Sequence, residues 1–207
     1  MTAKSIKKSP WPEIETGSED GRRLRSDRSR RAIIEALFEL MREGTMRPTA
    51  VDVAARAKVG LRTVFRHFED MESIFEEMTD ELKAVMMPRV LAPFEATTWR
   101  EQLLEMADRN AGIYEDVFPM QVALVIRRFQ SDFLSRQYQS EVELLRSSLK
   151  SILPKEIVQD RTRFAAIEVN LTFATWRRLR EDQKLSVARA KDTLRLILTS
   201  LMADIDA

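Results

Sequence analysis

Residues 49–75, TAVDVAARAKVGLRTVFRHFEDMESIF, constrain this chain more than any other stretch. They hold two short helical patterns with a bend between them. Thr49 can cap the first, and Asp52 stands where a capping box returns the bond. Val51, Val53, Ala54 and Ala57 give that helix a small apolar face. Lys58-Val59-Gly60 has the length and character of a helix-turn-helix bend. The second helix is expected over 61–68. Val64, Phe65 and Phe68 recur at i, i+1 and i+4, which predicts one buried side. Arg62, Thr63, Arg66 and His67 are left for the other. A short helix with an apolar back and a basic, hydrogen-bonding front fits the major groove of duplex DNA.

The rest of the chain is helical in pattern. Its 207 residues include five Gly and seven Pro, and no segment alternates as a strand does, so the fold class is all-α. With no Cys, disulfides and a thiolate nucleophile are excluded; with one His as well, a structural zinc site is not expected, and no cofactor is implied. No phosphate-cradling glycine loop or nucleophile elbow is present, so no enzyme is expected and no residue is assigned a catalytic role. The most apolar uncharged run, 118–126, is too short to span a bilayer, so no membrane partner is expected. Lys4, Lys7 and Lys8 have no apolar run behind them, so no secretory signal is expected and the cytoplasm is the expected location.

Charge is distributed unevenly. Residues 1–68 hold fifteen Lys and Arg against nine Asp and Glu, while 69–87 hold one against seven. The first stretch can face phosphate and the second cannot. Three regions are expected: a flexible basic arm over 1–25, a helix-turn-helix DNA-binding domain over 26–70, and a helical effector-binding and dimerisation domain over 71–207.

Within these regions the helix signals are local. A helix over 27–43 carries the stripe Ile33, Ile34, Leu37, Phe38 and Met41, with Arg31 and Glu35 spaced to pair on its outer face, and Gly44 is its stop. Asp70 caps a helix over 71–87 with Pro88 beyond it. Thr98 and Glu101 form a second capping box, for a helix over 99–113. Pro119 suits the first turn of another, whose face would be Val122, Val125, Ile126, Phe129 and Phe133. Arg127 and Arg128 fall off that face and are expected in solvent. The last two helices are expected over 160–181 and 187–205, the latter capped by Ser186. The first of these shows two stripes: Phe164, Ile167, Leu171 and Ala174, then Ala165, Val169, Phe173 and Trp176. Two apolar faces imply burial on both sides, one of them against a partner.

Residues 28–75 resemble the DNA-binding domain of the tetracycline-repressor (TetR/AcrR) family of bacterial regulators. The resemblance rests on Thr49, Val53, Ala54, Ala57, Val59, Thr63, Val64, Phe65, His67, Phe68, Glu72 and Ile74. It departs from the family pattern at Lys58 in place of Gly, Phe65 in place of Tyr, and Met71 in place of Lys. The last two remove phosphate contacts, which predicts looser DNA binding or recovery of those contacts by the arm.

The resemblance implies a homodimeric regulator, a ligand-released repressor that binds a palindromic double-stranded operator. The DNA-binding candidates are Thr49, Arg62, Thr63, Phe65, Arg66 and His67. A dimer through the last two helices would use Phe164, Ile167, Leu171, Leu194, Ile197, Leu198 and Leu201. A pocket for an unknown small-molecule effector would draw on Met106, Met120, Phe129, Phe133, Phe173 and Trp176, large adaptable side chains. The alternative is an all-α dimeric small-molecule-binding protein that keeps the fold without reading DNA.

Overall fold

The computed structural model describes residues 21–203 and 205, and the side chains from residue 25 onward. Most of the expected basic arm, including the side chains of Arg22 and Arg23, lies outside the described residues. The helices are α1 (Gly21–Arg42), α2 (Ala50–Arg56), α3 (Leu61–His67), α4 (Met71–Val90), α5 (Trp99–Arg127), α6 (Asp132–Ile152), α7 (Lys155–Gln159), α8 (Arg161–Asn170), α9 (Phe173–Arg177) and α10 (Val187–Met202). No strand occurs among the described residues, so the protein is all-α with an N-terminal helix-turn-helix.

The chain divides into two compact units: residues up to Pro88 with Val117–Ser135, and Arg89–Asp116 with Arg136–Ala207. This division does not follow the expected boundary at residue 70. Ile74, Phe75, Met78 and Leu82 of α4 bury in one core with Ile33, Ile34, Leu37, Phe38 and Met41 of α1. Val53, Ala54, Val64 and Phe68 complete that core around the bend, and Val117, Met120 and Ala123 of α5 join it. Burial of this apolar surface, rather than chain order, defines the unit.

Several helix limits differ from the sequence expectation. Pro88 lies inside α4 and Pro119 inside α5, so α5 is one helix where two were expected. Each proline removes one backbone donor, and the flanking apolar pattern carries the helix through. As a result the buried face of the C-terminal part of α5 is Val117, Met120 and Ala123, and Ile126 and Phe129 are exposed. Arg127 is not simply solvated. Its guanidinium lies 3.9 Å from the centre of the Phe75 ring and 3.3 Å from the Glu72 carboxylate. Arg128 stacks at 4.7 Å over Phe129.

The core of the second unit joins Leu103, Met106 and Ala107 of α5 to Leu149, Leu153, Ile157, Ile167, Leu171, Leu198 and Met202. The helix expected over 160–181 is broken at Leu171 and Thr172. Thr172 restarts it, its hydroxyl accepting from the Thr175 N–H. The Leu171 carbonyl accepts instead from the Tyr114 hydroxyl at 2.9 Å and the Asn110 amide at 3.4 Å. Enclosure of that phenol pushes its pKa above the ordinary range. The break resets the helical phase. Ile167 and Leu171 before it and Phe173 and Trp176 after it are therefore all buried, while Ala165, Val169 and Ala174 are exposed. The two expected stripes are one buried surface and one short exposed one. The Trp176 indole donates to Glu115 at 2.9 Å, and Arg180 pairs with the same carboxylate at 2.7 Å.

Candidate nucleic-acid interface

The bend that presents α3 is built by hydrogen bonds that close α2. The Lys58 N–H donates to the Ala55 carbonyl at 3.3 Å and the Val59 N–H to the Ala54 carbonyl at 3.0 Å. This double bond pattern needs a left-handed residue between helix and turn, a place glycine fills most readily. Lys58 fills it here with φ 56°. Val59 then packs against the core beside Ala54, the apolar contact that accompanies such a stop. α1 ends the same way, with Gly44 at φ 94° and Thr45 donating to Leu40 at 2.9 Å.

Val64 of α3 and Phe68, the residue that follows the helix, are buried against the core. Phe65 is not: it is 49% exposed, which corrects the expectation that it packs on the back of the helix. The reason is angular. Residues 64 and 68 are four apart and share a side, whereas residue 65 is turned about 100° from its neighbour. Leu61, Arg62, Phe65 and Arg66 are all exposed, and Leu61 and Phe65 form one ridge beside the ridge of Arg62 and Arg66.

The charge pairing of the first unit separates its arginines into two sets. Arg30 pairs with Glu77, Arg31 with Glu81, Arg56 with Glu39 and Glu43, and Arg127 with Glu72. The Arg31–Glu81 pair ties α1 to α4. Arg47, Arg62 and Arg66 are exposed and pair with no carboxylate among the described residues. Guanidinium groups left unpaired on one short exposed helix are available to phosphate or to base edges.

Arg30 is the element that sequence reading missed. Its guanidinium donates to the His67 carbonyl at 2.6 Å, stacks 4.4 Å from the Phe68 ring centre, and donates to Glu77 at 2.7 Å. It therefore caps the C-terminus of α3 and ties it to α1 and α4. A spacing of 37 residues to His67 and 47 to Glu77 leaves no local pattern to find it by.

His67 is half-buried, and its ring Nε2 is enclosed without a hydrogen-bond partner. Burial lowers its pKa below the ordinary value of 6.5, and the Arg66 and Arg30 charges lower it further. It is a neutral packing residue at the edge of α3 rather than a cation facing outward. Thr63 is also half-buried. Thr49 is exposed, but its hydroxyl donates to Asp52 at 2.6 Å, and its N–H donates to the same carboxylate at 2.9 Å. Those bonds hold the Asp52 carboxyl below its usual range. An ionised Asp52 already satisfies the group that phosphate would use, so Thr49 acts as the cap of α2. Of the six DNA-contact candidates, Arg62, Phe65 and Arg66 share the exposed face.

The other candidate sets fare differently. Met106 is packed in the second core and Met120 in the first, Phe173 and Trp176 are buried, Phe133 is half-buried, and Phe129 is 78% exposed. Met106 and Met120 fill the cores of their own units, and Phe129 stands on the surface. Among the interface candidates, Ile167, Leu171, Leu194 and Leu198 are buried within the second unit, which leaves them no surface for a partner. Phe164, Ile197 and Leu201 are half-buried. The large exposed apolar residues on the same helices are Val169 and Leu196.

Residues 33–78 match the family model of bacterial regulatory proteins of the tetR family. Over these residues the chain carries a tetR-family DNA-binding domain. The match covers α2, the bend and α3 with the adjoining parts of α1 and α4, the part whose geometry the sequence announces most clearly. A transcriptional regulator of Rhodococcus sp. Rha1 has the same fold over 88% of this chain and 99% of its own, with a TM-score of 0.62 at 14% identity. A TetR-like transcriptional regulator of Rhodococcus sp. RHA1 is similar over 90% and 100%, with a TM-score of 0.62 at 16% identity. A Clostridium perfringens protein described as a fatty acid metabolism regulator is similar over 85% and 99%, with a TM-score of 0.59 at 15% identity. No curated protein sequence matches the chain. No described helix is long and apolar enough to cross a membrane.

Proposed function

We propose that this tetR-family protein is a homodimeric transcriptional repressor that reads a palindromic operator through α3 and leaves it when a small molecule binds. The observation that carries DNA reading is Arg62 and Arg66 on α3, exposed and without a carboxylate partner among the described residues, in a unit whose α1 and α2 arginines at 30, 31 and 56 hold carboxylates. Arg presents a planar fork of donors that matches guanine O6 and N7. Arg47, at the bend before α2, adds a cation suited to the phosphate backbone. Two copies related by a twofold axis would place α3 in successive major grooves, which is why the operator is expected to be palindromic. Release by a ligand rests on the family resemblance. It would work as a population shift, driven by the ligand's differential affinity for two conformations.

A second reading, the fold without DNA recognition, draws on one observation: Asp52 occupies the Thr49 cap, and an acidic group there repels phosphate. Enrichment of duplexes from a random pool by the full chain separates the two. The proposed function gives one enriched palindrome whose affinity falls steeply with salt. A pool that stays random after repeated rounds favours the second reading.

A further inference from the structure

We infer that α3 reads the 5-methyl groups of thymines through Leu61 and Phe65, so that the operator half-site carries thymines beside the guanines contacted by Arg62 and Arg66. This rests on the DNA-reading proposal and adds the base class that the apolar half of the helix selects. Leu61 is 42% exposed and Phe65 49% exposed, on a helix whose other large apolar residue, Val64, is fully buried. An i,i+4 apolar pair left in solvent costs hydration free energy that burial at Val64 avoids. The pair lies directly beside the Arg62 and Arg66 ridge. Cations bring that surface to duplex DNA by charge complementarity, so the groove floor is what the apolar ridge meets.

The major groove offers one apolar group on its base edges, the thymine methyl. Phe65 has no hydroxyl with which to hold a phosphate oxygen. Its ring edge can cover a methyl, and Leu61, one turn earlier, can cover a second on a neighbouring step. The ridge order then predicts a half-site in which two methyls lie on one side of the guanine contacts. Ser, Asn or Gln in these positions would hydrogen-bond base edges instead, and α3 presents none of them.

The test uses the full chain and its best duplex from a random pool. Each thymine of the half-site is replaced in turn by deoxyuridine, which removes only the methyl. Loss of a buried methyl predicts about fourfold weaker binding at one or two positions per half-site. 5-Bromodeoxyuridine at the same positions should restore affinity, because bromine fills the methyl's volume. Phe65→Ala should bind the thymine and deoxyuridine duplexes alike at one of these positions, and Leu61→Ala at another. A duplex with deoxyuridine throughout that binds as tightly as its parent overturns the inference while leaving DNA reading intact. Failure to enrich any duplex overturns both.

Discussion

The Arg30 guanidinium donates to the His67 carbonyl across 2.6 Å, at the last residue of α3. The same side chain lies over Phe68 and holds Glu77 of α4. One residue thus satisfies an end-of-helix carbonyl and joins three helices. Removing it leaves that carbonyl and the Glu77 carboxylate to solvent. Charge-assisted bonds are worth about 1.5–3 kcal/mol when enclosed, and partial exposure discounts this. Arg30→Ala should therefore lower stability by about 1–2 kcal/mol in urea unfolding. It should weaken DNA binding further than the stability loss explains, because α3 loses its tether. Glu77→Gln, which spares the His67 bond, should cost less.

Acid should weaken the first unit through His67. Its folded pKa lies below the ordinary 6.5, so the unfolded chain binds the proton more readily. Stability is then full above pH 6.5 and falls as pH drops from there toward the folded pKa. His67→Gln should flatten that part of the pH profile. Thermal melts between pH 7.5 and 5 check this: a profile of unchanged slope in the variant assigns the loss to other groups.

Lys58 stands at φ 56°, a conformation that an L residue adopts at a cost and glycine does not. Glycine gives back part of the gain through its freer unfolded chain. Lys58→Gly should raise stability by about 0.5–1 kcal/mol. Lys58→Val, β-branched at a left-handed position, should lower it. Equal stability in all three proteins would show that the bend carries no strain.

The dimer expected from the last two helices has to use their outward faces. Leu194 and Leu198 belong to the core, so charging them should unfold the second unit. Val169→Glu with Leu196→Glu should instead give folded monomers, weakening association by roughly 2 kcal/mol or more. Light scattering at micromolar concentration with an unchanged circular dichroism spectrum is the expected result. A persistent dimer would remove these two residues from the interface.

Features closed within a few residues were legible in the sequence. The α1 stripe, the Thr49–Asp52 box, the Gly44 stop and the Ser186 cap are all in place. The helix-turn-helix was legible for the same reason. Long-range polar contacts were not: Arg30 with Glu77 and Tyr114 with Leu171 lie 47 and 57 positions apart. Two misreadings came from periodicity carried too far. Phe65 shares its apolar character with Val64 but not its face, because adjacent helical residues diverge by about 100°. The segment over 160–181 was read as one helix with two faces, although Asn170 and Thr172 marked its break. Thr172, with Thr175 three positions on, was the available signal for a new N-terminus.

DNA reading by α3 is tested most directly by footprinting with Arg62 and Arg66 both changed to Ala. Both are exposed and pair with no carboxylate among the described residues, so the variant should fold as the parent does. The protein should then lose its specific footprint, with each Arg worth about 1–3 kcal/mol at the base it contacts, and keep only weak, sequence-independent binding. An intact, sequence-specific footprint from the double variant would contradict α3 as the reading element.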